Sequence, residues 1–145
     1  MADEEERTAR GRAAYASQFR LPEAEALAQL EGIVGERMAA EAVQAAGGAW
    51  VDDDLSLRDR SLIVVAALIA QGCVADRLRG HVRWALDHGV TPSQLEALAS
   101  LLAVYVGYPR ASVGMEAIRE VLAQPDADDE VRRGTARPPD AVGGN

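Results

Sequence analysis

The chain has 145 residues, of which 48% are hydrophobic, a length and composition that suit one folded domain with its own core rather than a disordered or membrane-embedded chain. Its formal net charge of -8 sets it against phosphodiester backbones and anionic lipid, so no nucleic acid and no membrane is expected as a partner.

The first residues, Asp3 to Glu6, are acidic and are expected to fray before a helix that runs from just ahead of Arg7 to about Ser17. Leu21-Pro22-Glu23 restarts the chain, because proline at a first helical position loses no hydrogen bond and acids suit the positive end of a helix. Leu27, Leu30, Ile33 and Val34 follow at helical spacing, and Gly32 and Gly35 are places where this stretch can break. A further helix, about Glu36 to Ala46, is expected to end at Gly47-Gly48. After a loop through Trp50 to Leu55, Ser56 with Asp59 three residues on forms a start signal of the capping-box kind. The run Leu62 to Ala70 has no polar face, which predicts a central helix buried on every side and stopped by Gly72. This longest apolar run is far short of the roughly 20 residues that cross a bilayer.

The next helix spans about Ala75 to His88, with Gly89 as its left-handed cap. Thr91-Pro92-Ser93-Gln94 is a second start signal, and Leu95, Leu98, Leu101, Leu102 and Tyr105 then form one apolar face. Gly107-Tyr108-Pro109 breaks the chain before a last helix carrying Val113, Met115, Ile118, Val121 and Leu122. From residue 124 the composition turns to Asp, Pro, Gly, Arg and Ala, the pattern of a mobile tail. No segment alternates with period two long enough for a strand. The organisation expected is an N-terminal acidic segment and helix over 1–20, a helical domain over 21–123 and a tail over 124–145.

Three segments carry a family resemblance. They are Leu55-Ser56-Leu57-Arg58-Asp59-Arg60-Ser61-Leu62, then His81-Val82-Arg83-Trp84-Ala85 through His88-Gly89-Val90-Thr91, then Tyr105-Val106-Gly107-Tyr108-Pro109-Arg110. Their order and spacing, from about Trp50 to Leu122, resemble the carboxymuconolactone decarboxylase family, which also holds the AhpD-like alkylhydroperoxidases. The resemblance implies an all-α, AhpD-like orthogonal bundle of about six helices without a sheet. It also implies a trimer or hexamer, and a small carboxylated or lactone substrate that loses carbon dioxide without a cofactor.

The peroxidase branch of that family carries Cys-x-x-Cys ahead of its histidine. Counting back from His81, those positions hold Val74 and Arg77, and the single cysteine, Cys73, has no partner. Peroxide reduction by a thiol pair needs both an attacking and a resolving sulfur, so that activity is disfavoured. One cysteine also excludes an internal disulfide, and the N-terminus has no basic start followed by an apolar run, so a cytoplasmic location is expected.

His81 is the candidate acid–base residue, since imidazole gives or takes a proton near neutral pH. Arg60 and Arg77 are candidate carboxylate anchors because the guanidinium fork meets both oxygens, and Arg77 shares a helix face with His81. Arg83, two residues from His81, points elsewhere. Trp84 and Tyr105 are candidate lining residues, although packing at the corner of two helices accounts equally for Tyr105 and Tyr108. His88 suits a helix C-terminus as a cation. With His81 and His88 seven apart and no third histidine, no metal site is expected. Several decarboxylases of the family carry Trp-Gly-Glu-x-Trp before the loop; here the glutamate position is Gly48, with Asp52, Asp53 and Asp54 as nearby carboxylates. That departure keeps open a second reading, a non-catalytic helical oligomer that retained the fold.

Overall fold

The computed structural model describes residues 2–50, 54–72 and 74–124. Among them are seven α-helices and no strand, the all-helical bundle that the sequence predicts. They are α1 (Ala2–Phe19), α2 (Glu23–Val34), α3 (Glu36–Ala49), α4 (Leu57–Gln71), α5 (Ala75–Asp87), α6 (Pro92–Val106) and α7 (Tyr108–Ala123). Residues 52, 53 and 73 and the expected tail beyond 124 lie outside the described residues.

Local chemistry sets most of these boundaries. The Ser56 hydroxyl accepts from the Asp59 amide at 3.0 Å and starts α4. Thr91 and Gln94 form a reciprocal capping box at the start of α6. Gly35, Gly72, Gly89 and Gly107 take left-handed φ at helix junctions. Arg20 takes the same region at φ 55, an arrangement that costs about 1 kcal/mol for a residue with a Cβ. The Leu21 amide then bonds the Ala16 carbonyl and the Arg20 amide the Ser17 carbonyl, closing α1 with a Schellman turn.

Two apolar clusters hold the helices together. Val65, Ile69, Leu78, Val82, Leu95 and Ile118 form the larger, shared by α4 to α7. Leu30, Ala39 and Val43, backed by Tyr15 and Phe19, form the smaller within α1 to α3. α1 bridges the two, packing on α3 and α2 and touching α5.

Three expectations are corrected. α1 begins at Ala2 rather than fraying through the acids, because Asp3, Glu4 and Glu5 occupy its first turn, where the helix dipole favours them. Gly47-Gly48 does not end α3; Gly47 is buried within it. A Cβ at Gly47 would stand 1.9 Å from the Arg7 carbonyl oxygen, and one at Gly11 1.9 Å from that of Val43, so the two glycines let α1 and α3 approach backbone to backbone. α4 is not buried on every side of this chain, since Ile63 is 53% exposed.

Gly47→Ala is therefore expected to lower stability by about 1–3 kcal/mol, because backbone rather than a flexible side chain must move. Gly32→Ala, where nothing lies within 4 Å of the added methyl, should raise stability by about 0.5–1 kcal/mol. Urea unfolding of the two variants checks the contrast.

Candidate functional site

Arg77, His81, Trp84 and His88 recur at helical spacing along one stripe of α5. The stripe leads to two environments separated by Trp84. At its N-terminal end a cavity of about 400 Å³ opens between α5 and the α1–α3 cluster. Its polar end is formed by Tyr15, Gln18, Asp76, Arg77 and His81. Its apolar wall is formed by Phe19, Leu30, Ile33, Val34, Met38 and Ala42. A second cavity of about 310 Å³ lies between the ends of α4, α5 and α7, with Arg110 at its rim donating to the Ala70 carbonyl, and it holds no histidine. The first cavity is the one that combines an apolar body with convergent titratable groups.

α1 closes this cavity over His81. The Gln18 amide nitrogen lies 3.4 Å from His81 Nε2. The Gln18 amide thus gives the ring a hydrogen-bonding neighbour that can serve either tautomer. Arg20 at the end of α1 grips Asp87 at the end of α5 with both carboxylate oxygens, Nε to Oδ2 at 3.2 Å. That bidentate pair holds the Arg20 turn in its left-handed conformation and keeps α1 on α5.

The electrostatics follow from burial. Removal from water pushes the His81 pKa below its ordinary value of 6.5, and the positive charge of Arg77 pushes it the same way. His81 is thus a neutral ring at neutral pH. Burial raises the Tyr15 phenol, partly opposed by Arg77, so Tyr15 stays protonated. Asp76 turns outward to Arg79 at 2.6 Å, and Arg79 also binds Glu120 at 2.6 Å. Arg77 makes no ion pair with any described residue, so its guanidinium is available at the cavity.

The other candidate residues stand apart from this cavity. Arg60 is buried at the start of α4 and does not line it. Arg83 points away, as expected, and donates to Gln124 at 2.6 Å. Trp84 is buried one turn below His81, ring centroids 6.0 Å apart, and stacks on Trp50 at 4.3 Å. Its indole N–H finds no hydrogen-bond partner among the described residues. Tyr105 and Tyr108 are 77% and 74% exposed, so neither braces the core of this chain, and Tyr105 does not line the cavity. Gly48 lies under the Arg7 guanidinium rather than in the cavity, and Asp54 is exposed and does not line it.

His88 caps the C-terminus of α5, as its place before Gly89 suggests, but its ring packs inward rather than standing in solvent. Ser61, 2% exposed, places its hydroxyl 2.7 Å from His88 Nδ1, and the Trp84 ring lies 4.8 Å away. Burial lowers its pKa, and Asp87 with the backbone of Leu57 opposes that shift. The pair ties the end of α5 to the start of α4.

Of the residues singled out from the sequence, His81 and Arg77 line this cavity; Tyr15, Gln18 and the apolar wall were not singled out as site residues. The signal present was a stripe of Tyr15, Gln18 and Phe19 at helical spacing late in α1, but its partner lies far along the chain.

Both histidines titrate below 6.5 in the fold, so between their folded values and 6.5 the unfolded chain binds more protons. Their contribution to stability is complete above 6.5 and is lost as pH falls through the folded values. The urea midpoint should drop between about pH 7.5 and about pH 5.5, and His81→Gln, which keeps a polar side chain but does not titrate, should flatten part of that drop. An equal drop in the variant would exclude His81 as a contributor.

Comparison with known proteins places the chain in a family. The family model described as "Carboxymuconolactone decarboxylase family" matches residues 37–120, more than half of the chain. A curated relative, the 4-carboxymuconolactone decarboxylase of Acinetobacter baylyi, is 35% identical over 76 residues. That match spans 52% of this chain and 56% of the relative. The matched segment runs from α3 to α7 and includes Arg77 and His81, whereas Tyr15, Gln18 and the walls from α1 and α2 precede it. The chain belongs to the carboxymuconolactone decarboxylase family.

Proposed function

We propose that this protein is a carboxy-lyase acting on a small carboxylated or lactone compound in the cavity at His81. The observation that carries the reading is the convergence of a neutral histidine, an arginine without an ion pair among the described residues and two aromatic rings, Tyr15 and Phe19, on one concave site. A packed-in histidine with no cavity would have favoured the non-catalytic reading instead. The relative's name, 4-carboxymuconolactone decarboxylase, supports the same reaction class.

In this reading Arg77 binds substrate carboxylate through its planar fork. The bond from the departing carboxylate to the carbon skeleton breaks, carbon dioxide leaves, and the electron pair spreads onto the lactone or carbonyl system. That carbon then takes a proton. The bound anion offsets the field of Arg77 and raises the proton affinity of His81, so the ring loads a proton in the complex and delivers it to carbon. The ring returns to neutral and is reloaded from solvent. Gln18 and Tyr15 orient the imidazole and the substrate oxygens. No cofactor or metal is needed for this sequence of steps.

Two further expectations belong to the proposal. The apolar surface of Leu101, Val104, Tyr105 and Tyr108 on α6 and α7, with Ile63 on α4, supports assembly with sister chains as a trimer or hexamer. Through such an assembly Tyr105, Trp84 and Arg60 would bear on a site completed by a neighbour. No helix among the described residues is long and apolar enough to cross a membrane, which is compatible with a cytoplasmic enzyme. Gly48, in place of the glutamate that some relatives carry, favours the second reading, an oligomer without activity. Thiol peroxidation is the weakest option, since Val74 and Arg77 stand where the cysteine pair would be.

Release of carbon dioxide from a panel of lactone acids, 4-carboxymuconolactone included, tests the proposal. His81→Ala should lower kcat by about 10²–10⁴-fold, the usual contribution of a positioned acid–base group. Arg77→Gln should raise KM by about tenfold or more, as loss of a charge-assisted hydrogen bond does. Equal turnover in wild type and His81→Ala would remove His81 from the mechanism. No release from any lactone acid would leave the non-catalytic reading.

A further inference from the structure

We infer that Gln18 is a positioning residue that follows the proton on His81, donating to Nε2 when that atom is bare and accepting from it when it is protonated. The inference rests on the reading of His81 as the acid–base group and names the partner that lets the ring cycle.

A ring that delivers and regains a proton alternates between two hydrogen-bonding characters. Neutral, with its proton on Nδ1, it offers a lone pair at Nε2; charged, it donates from both nitrogens. The Gln18 amide nitrogen stands 3.4 Å from Nε2. The amide carries a donor and an acceptor on one carbon, and a half-turn about its last torsion exchanges them. That torsion is broad and roughly two-fold, so both settings are open without strain.

The surroundings leave this task to Gln18. From α5, Arg77 only donates and its charge opposes a charged ring, while Asp76 is held by Arg79 at 2.6 Å. From α1, Tyr15 shares the cavity as a protonated phenol, and Arg20 is paired with Asp87 at the end of α5. From α2 and α3 come Leu30, Ile33, Val34, Met38 and Ala42, none of which titrates. Among the described residues Gln18 is the one at hydrogen-bond distance from the ring. An apolar side chain in its place would strand the N–H of the charged ring in a part-buried site. A carboxylate would accept from that N–H but hold the proton there. The amide answers both states and adds no charge. Gln18 lies in the last turn of α1, outside residues 37–120 matched by the family model. The matched segment therefore supplies the ring, and the N-terminal helix supplies its partner.

Following the carbon-bound proton of His81 by NMR in the full chain, with Gln18→Met and Gln18→Glu beside it, tests the pairing without substrate. Both replacements are unbranched helix formers like glutamine, so α1 is retained. Gln18→Met should lower the His81 midpoint by about half a pH unit to one pH unit, since hydrogen bonds to charged groups are stronger than those to neutral ones. Gln18→Glu should raise it by about one pH unit or more. Carbon dioxide release from 4-carboxymuconolactone, measured across pH, then reads the proton cycle. A ring that must be charged in the complex loses activity as pH rises, so that limb of kcat should move down in Gln18→Met and up in Gln18→Glu. A fall in kcat equal at every pH, with the His81 midpoint unmoved, would mean packing alone and overturn the inference. Midpoints that shift while the limb of kcat stays fixed would also overturn it and leave His81 as the acid–base group. No release, or release that ignores His81→Ala, would overturn the inference and the proposed function together.

Discussion

The seating of α1 on α5 is the contact on which the site depends. α5 alone would present Arg77 and His81 to water as an ordinary polar stripe. With α1 across it, the ring loses water, meets the Gln18 amide and faces an apolar wall. Two features hold α1 in that position. The glycines Gly11 and Gly47 let its backbone sink against α3, and the Arg20–Asp87 pair pins its last turn to the end of α5. The pair also stabilises a left-handed arginine that the free chain would avoid. Local strain and long-range closure are thus coupled at one residue.

The electrostatic consequence is a division of labour along one helix face. In the proposed reaction a neutral imidazole lies beside a guanidinium that makes no ion pair with any described residue, and a bound anion would make that imidazole a better base. Neither group does this alone: a histidine in water would titrate near 6.5 regardless of ligand, and an arginine already paired to a carboxylate would not bind one. On the far side of Trp84 the same stripe carries His88, which serves Ser61 and helix packing instead of the cavity.

Much of the scaffold was legible in the sequence because its signals are local. Ser56, the Thr91–Gln94 box and Gly72, Gly89 and Gly107 mark helix ends by backbone chemistry that needs only near neighbours. His81 and Arg77 could be paired by spacing alone. The parts that escaped depend on residues distant in sequence. Gly47 reads as a helix stop until α1 is packed on it, and Gln18 carries no signal until α5 brings His81 beside it. His88 reads as a capping cation until Ser61, 27 residues earlier, is brought beside its ring. Ile63 reads as core because the run around it is apolar throughout, yet the single chain leaves that face open.

The state of the His81 ring is where the account is most exposed to test. Following its carbon-bound proton by NMR as pH is varied, in the full chain and in Arg77→Gln, reads it directly. The account predicts a midpoint below 6.5 in the native chain, shifted upward when the guanidinium is removed. A midpoint at or above 6.5, unmoved by the substitution, would mean the ring stands in water and would contradict the closed site.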